Sequence, residues 1–194
     1  MKALSPQIKR FVASFCAVLL VAAAFPVALT AQGLAEQADI EELYDRLQDP
    51  DLSNWEAVEE DIWAAWARSG SQSIDLLLKR GQDALEEDDM QAAIEHFTAA
   101  IDHAPGFAEA YNGRATAFFQ MERFGQSLSD IEMTLALNPR HFGALTGLAL
   151  ILEELDQPED ALSAYRAVAA IHPHRPNVKD AIERLEAKLE GRAI

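Results

Sequence analysis

Apolar residues recur along most of this chain three and four positions apart, the spacing of one face of an α-helix. No segment alternates with period two, so no strand is expected and the chain reads as all-α. Ile40, Leu43 and Leu47 predict a first short helix over Ala35–Gln48, ended by the Asp49-Pro50-Asp51 turn. Trp55, Val58, Ile62 and Trp66, with Trp63 beside them, predict a second. Ser53 is its expected cap, with Glu56 three residues on as a capping box. Ser69-Gly70-Ser71 stops it. Helices are then expected near 73–87, 90–103, 108–121, 124–137, 142–155 and 158–171. A last one runs from about Asn177 to Glu190, where Val178, Ile182, Leu185 and Leu189 form one apolar stripe opposite a charged face.

The six central helices fall into a repeat. Pro105, Pro139 and Pro173 stand 34 residues apart. Small residues recur in step before each proline: Gly81, Ala115 and Ala149, then Ala93, Ser127 and Ala161. Large ones recur likewise: Leu77, Tyr111 and Leu145, then Phe97, Ile131 and Tyr165. Small residues let paired helices approach, large ones fill the space between, and proline cannot continue a helix. The pattern resembles the tetratricopeptide repeat (TPR) family, with units at 74–107, 108–141 and 142–175. The resemblance implies a TPR α-solenoid of antiparallel helix pairs. The departures are Ser127 for the usual alanine, and Arg80 and Arg114 where leucine is common; an arginine stem can lie on a core with its head in water.

The flanking segments complete the domain plan. Residues 36–73 read as a divergent N-terminal helix pair, a decayed repeat in which Trp63 stands in register with Phe97 and Trp66 with Ala100. Tryptophans at those places suit a terminal unit with nothing stacked beyond it. Residues 176–194 read as the C-terminal capping helix that closes many TPR arrays. Residues 1–33 have the layout of a secretory signal peptide: Lys2, Lys9 and Arg10, an apolar run from Phe11 to Phe25, then Ala31-Gln32-Gly33. The alternative is an uncleaved membrane anchor over residues 11–31. The single cysteine, Cys16, follows Phe15 rather than a small residue, which argues against lipidation there. Export to a bacterial periplasm is the expected localisation, because the chain resembles small exported bacterial TPR proteins of unassigned activity.

Charge narrows the partners. The whole chain carries a formal −16; the 16 basic residues less Lys2, Lys9 and Arg10 leave 13 against 32 acidic, a formal −19 for the exported part. Nucleic acid and anionic lipid are poor partners for such a chain, and any membrane contact would come only through an uncleaved N-terminal segment. No phosphate loop, His-Glu-x-x-His, Gly-x-Ser-x-Gly or paired-cysteine site is present, and no carboxylate pair has an apolar setting that argues acid–base catalysis. His172 and His174 flank Pro173 as two donors, short of a metal site. No enzyme, no cofactor and no metal are expected.

What remains is a non-catalytic scaffold that binds a partner's peptide or helix in the concave TPR groove. The alternative is an accessory or metal-dependent module of a cell-envelope enzyme complex. The family's inward positions map onto Leu78 and Gln82, onto Asn112, Thr116 and Phe119, and onto Thr146 and Leu150, which are the candidate groove residues. Their apolar and amide character with acidic rims implies a neutral or basic protein or peptide with apolar anchors. TPR domains that grip a chaperone's carboxyl-terminal tail use a clamp of Lys, Asn, Asn, Lys and Arg. Those positions here are Leu78, Gln82, Gly113, Gly143 and Gly147, so the clamp is missing. The glycines leave two alternatives: a groove widened for a bulky ligand, or another helix packed closely against it.

Overall fold

The structure, a computed structural model, describes residues 31–192. The expectations for the basic start, the apolar run and Cys16 lie outside the described residues. Those residues form nine α-helices and no strand: α1 Ala31–Leu47, α2 Trp55–Trp66, α3 Gln72–Glu86, α4 Met90–His103, α5 Ala108–Gln120, α6 Phe124–Leu137, α7 Phe142–Glu154, α8 Pro158–Ile171 and α9 Pro176–Arg192. The six central boundaries lie within a residue or so of those the sequence pattern predicts. None of the nine is long and apolar enough to cross a membrane.

Two kinds of turn alternate. Between the helices of a unit, Asp88, Glu122 and Asp156 take positive φ of 62°, 55° and 49°. The next amide then donates back into the helix just ended: Asp89 to the Ala84 carbonyl (2.8 Å), Arg123 to Phe118 (2.8 Å) and Gln157 to Leu152 (2.9 Å). This is the left-handed helix stop that usually carries glycine, filled three times by an acidic residue. Between units, Ala104, Asn138 and His172 each precede a proline and leave the helical region, with ψ of 74°, 92° and 83°. A residue before proline is pushed there by the proline ring.

Helix pairs close on the small residues. Ala93 and Ala161 are fully buried. Ser127 is buried as well, and its hydroxyl donates to the Ala115 carbonyl across the pair at 2.8 Å, which accounts for serine in an alanine's place. Phe97 is fully buried where a Cβ on Gly81 or on Gly113 would come within 2.5 Å of its ring. Those two glycines therefore leave room for one phenylalanine. Arg114 corrects the expectation of a head in water: its guanidinium holds Asp130 through two bonds of 2.7 and 2.8 Å and donates to Thr98 at 3.0 Å.

The apolar interior falls into two clusters. One surrounds Phe97 and contains Ile74, Leu78, Ala93, Phe107, Ala110 and Ala117 from the first unit and one face of α5. The larger joins the second and third units to Val178, Ala181 and Leu185 of α9 and to Tyr44, Leu47, Val58 and Ile62 of the N-terminal pair. That last membership overturns the reading of α1–α2 as a decayed repeat at the free end of the array. The pair folds instead onto the loops that open and close the third unit. Trp66 stacks on His141 with ring centroids 4.3 Å apart, and Trp63 meets Phe142 edge-on at 5.3 Å. Arg140 pairs with Glu41 and covers the Tyr44 ring at 3.8 Å. Gln48 donates to the Ile171 carbonyl at the end of α8 (2.7 Å). The physical reason is size: a tryptophan where paired helices must touch keeps them apart, and its ring then needs apolar cover elsewhere. Both tryptophans are half-buried. Ser53 does not cap α2; Asn54 precedes the helix and makes no side-chain cap bond.

Candidate functional site

The inner helices of the second and third units, α5 and α7, enclose a hollow of about 380 Å³. Ile131 and Ser127 of α6 form its floor, and Phe119, Leu150, Gly143 and Gly147 its apolar walls. Asn112, Thr116, Gln120 and Thr146 supply polar groups, and Arg175 is the single ionised side chain among the lining residues. Five of the seven predicted groove residues thus converge: Asn112, Thr116, Phe119, Thr146 and Leu150. Leu78 and Gln82 do not join them. Leu78 is buried at 3% exposure in the Phe97 cluster, where the first unit needs it as core. Gln82 is exposed on α3 and does not line the hollow.

The polar groups differ in what they have left to offer. Thr116 donates to the Asn112 carbonyl (3.0 Å) and Thr146 to the Phe142 carbonyl (2.8 Å), so both hydroxyl protons are used inside their own helices. The Asn112 amide has no side-chain partner among the described residues and keeps two donors and an acceptor for a ligand. Leu150 is 41% exposed, large for an apolar residue in a concave wall, while Phe119 is half-buried and leans on Phe124 at 5.8 Å.

The glycines resolve separately. A Cβ on Gly143 would lie 2.4 Å from Trp63, so here another helix packs close, as the second alternative has it. Gly113 serves Phe97. Gly147 alone opens the hollow, its nearest neighbour being Ile131 at an ordinary 3.4 Å.

Arg175 was not singled out as a groove residue by sequence, because it lies in the loop after the third unit and only the fold swings it inward. It is held by Glu59 of α2 (2.8 Å), by Thr146 (3.3 Å) and by the Phe142 ring, 5.2 Å from its guanidinium carbon. Glu59 also accepts from His172 (2.9 Å) and Trp63 (3.2 Å). Burial alone would raise the Glu59 carboxyl, but the hydrogen bonds from His172 and Trp63 and the charge of Arg175 bring it down to about 2. A second buried histidine, His141, accepts the Ala144 amide on Nδ1 (3.0 Å) and so donates from Nε2 to Glu109 (2.8 Å), capping α7 with its ring. Glu109 is consumed there. Glu153 is consumed by Arg184 of α9 and by the Tyr165 hydroxyl; the Arg184 bonds hold its carboxyl below the ordinary range.

A second hollow of about 370 Å³ lies on the first unit beside Arg80, Asp83, Asp89 and His96. Its groups are already engaged in part: Asp83 pairs with Lys79 (2.8 Å), and Asp89 caps α4 by accepting the Ala92 amide (3.0 Å). Among the described residues no three metal-ligating side chains converge.

Comparison with known proteins matches the tetratricopeptide repeat profile to residues 78–124 and 113–176, which together span half of the chain. A TPR repeat-containing protein of Rhizobium etli is 36% identical over 146 residues, 75% of this chain and 71% of that protein. The small glutamine-rich tetratricopeptide repeat-containing protein 2 of Saccharomyces cerevisiae is 30% identical over 105 residues, of which this chain spans only 30% of the length. The first TPR domain of Spaghetti (RPAP3), solved with an HSP90 peptide, superposes with a TM-score of 0.59 at 22% identity over 62% of this chain and 95% of that one. The Sgt2 TPR domain of Aspergillus fumigatus does so with 0.59 at 21% identity over 63% and 83%. At those identities the structures speak for the fold.

Proposed function

This chain belongs to the tetratricopeptide repeat family, and we propose that it is a non-catalytic scaffold that docks a segment of a partner protein in its concave face. The observation that carries the reading is the hollow between α5 and α7, where Phe119 and Leu150 offer apolar surface beside the unengaged Asn112 amide. An aromatic supplies buried area, and an amide can hold an extended backbone by paired hydrogen bonds. Relatives with a peptide in their structures, such as the Spaghetti domain, support the same use of the fold. The clamp positions here carry Leu78, Gln82, Gly113, Gly143 and Gly147, so the ligand differs in chemistry from an acidic carboxyl-terminal tail.

Crosslinking capture with the parent protein and with Phe119→Ala and Asn112→Ala combined tests the reading. The expected result is loss of the captured partner by the double variant with its helical content unchanged. Equal capture by the folded variant would move attention to the acidic N-terminal helices. We further propose that the protein works after export to the cell envelope, supported by the basic start, apolar run and Ala31-Gln32-Gly33. Mass spectrometry of the native protein should find an amino terminus near Gln32 or Leu34; intact Met1 in the membrane fraction would favour the anchor.

A further inference from the structure

The hollow between α5 and α7 has one ionised lining residue, and that residue is masked. Arg175 gives its guanidinium to Glu59 at 2.8 Å. Glu59 comes from outside the repeats, on α2, and the N–H groups of Trp63 and His172 hold it in place beside Arg175. Its side chain is 14% exposed. A ligand carboxylate reaching for Arg175 would have to displace an ionised group that already has three donors, which is unfavourable.

The ends of the inner helices have the opposite character from a carboxylate receptor. The inner helices α3, α5 and α7 end on Glu86, Gln120 and Glu154, all exposed, and none of the three has a basic residue in its last turn. Asp88, Glu122 and Asp156 follow two residues on. Lys188 meets Asp156 at 3.3 Å, but Glu122 and Glu154 make no salt bridge among the described residues. Arg123, beside Glu122, is laid over the Phe118 ring at 4.7 Å and bonded to Gln126.

We infer that the hollow seats a bulky uncharged side chain from a basic segment of a partner protein, and that Glu59 sets this choice by neutralising Arg175. The inference rests on the concave face being the docking site. Charge complementarity commits the occupant: an apolar anchor for Phe119, Leu150 and Gly147, with flanking lysine or arginine toward the acidic helix ends. Glu59 is then a specificity-determining residue that acts through Arg175 and touches no ligand itself.

The probes are short fluorescent peptides with one central tryptophan flanked by lysines, by serines or by glutamates, titrated into the full protein and followed by anisotropy. The lysine-flanked peptide should bind about three- to tenfold more tightly than the serine-flanked one, a gap that closes with added salt. The glutamate-flanked peptide should bind most weakly. Glu59→Gln keeps the shape of the side chain and frees Arg175. In that variant the lysine-over-glutamate preference should fall severalfold, chiefly by gain of the glutamate-flanked peptide. Arg175→Gln keeps the test decisive if Glu59→Gln fails to fold: it leaves the Glu59 charge without its partner, so the lysine-over-glutamate preference should widen severalfold, and an unchanged preference in the folded variant would overturn the assignment to Glu59. Equal affinities across the three peptides, or an unchanged preference in folded Glu59→Gln, would overturn the assignment to Glu59. The groove reading itself is judged by Gly147→Leu, which fills the hollow: a lysine-flanked peptide that binds this folded variant as well as the parent sinks that reading. If no peptide binds the parent, both fall.

Discussion

At the residue scale, one pair position is solved three ways in three units. Arg114 and Asp130 form a two-bond ion pair in the second unit, with side chains 20% and 6% exposed. The same register holds Leu148 and Ala164, both buried, in the third unit, and Arg80 with His96 beside an open hollow in the first. Removing one partner of a buried pair strands the other, whereas apolar replacement of both often costs little. Asp130→Ala should therefore lose about 2–3 kcal/mol, read as a lower thermal midpoint. Arg114→Leu with Asp130→Ala, which copies the third unit, should recover most of that loss; a double variant as weak as the single one would show that the pair holds the helices by more than its charge. Glu122 offers a gain instead. At φ 55° its side chain is crowded against its own backbone, and Glu122→Gly should raise stability by about 0.5–1 kcal/mol, measured by urea titration.

At the element scale, the N-terminal pair is fastened by a carboxylate. Glu59 has its pKa lowered from the usual 4.5 to about 2 by His172, Trp63 and Arg175 in spite of burial. A depressed carboxyl contributes stability above its unfolded value and loses it as pH falls toward its folded one. Docking of α1–α2 should therefore weaken between about pH 4.5 and pH 2, by an amount of order 2–3 kcal/mol. Fluorescence of Trp63 and Trp66, which pack on His141 and Phe142, reports it directly. Glu59→Gln should flatten the change within that window, and an unaltered acid transition in the variant would assign the fastening to other contacts.

At the scale of the whole molecule, the two apolar clusters meet at α5. Ala110 and Ala117 face the first unit, while Ala115 faces the rest. Repeat arrays are held by neighbour contacts, so regions with separate cores open separately. Native-state hydrogen exchange should show α3 and α4 opening at lower free energy than α6, α7 and α8, which share their core with α2 and α9. A single common opening energy for all these helices would show that α5 transmits packing across the whole array. The same asymmetry places the hollow in the more firmly built half, where a docking surface stays pre-formed.

The 34-residue register by itself determined where the six central helices run and the burial of Ala93, Ala161 and Phe97, because helix pairing depends on spacing and side-chain size, both legible in order along the chain; the five expected residues that line the hollow were implied by the resemblance to the repeat family. Contacts between distant segments were decided only in three dimensions. Nothing in the order of residues says that Glu59 and Trp63 lie across the third unit rather than before the first, since a helix pair with an apolar stripe packs wherever its shape is best covered. The same holds for Leu78, which the resemblance to the family places in the groove and the close approach of its neighbours turns into core. Arg175 enters the hollow, and Glu59 neutralises it there, for the reason that charge is local in sequence but its partners are set by the fold.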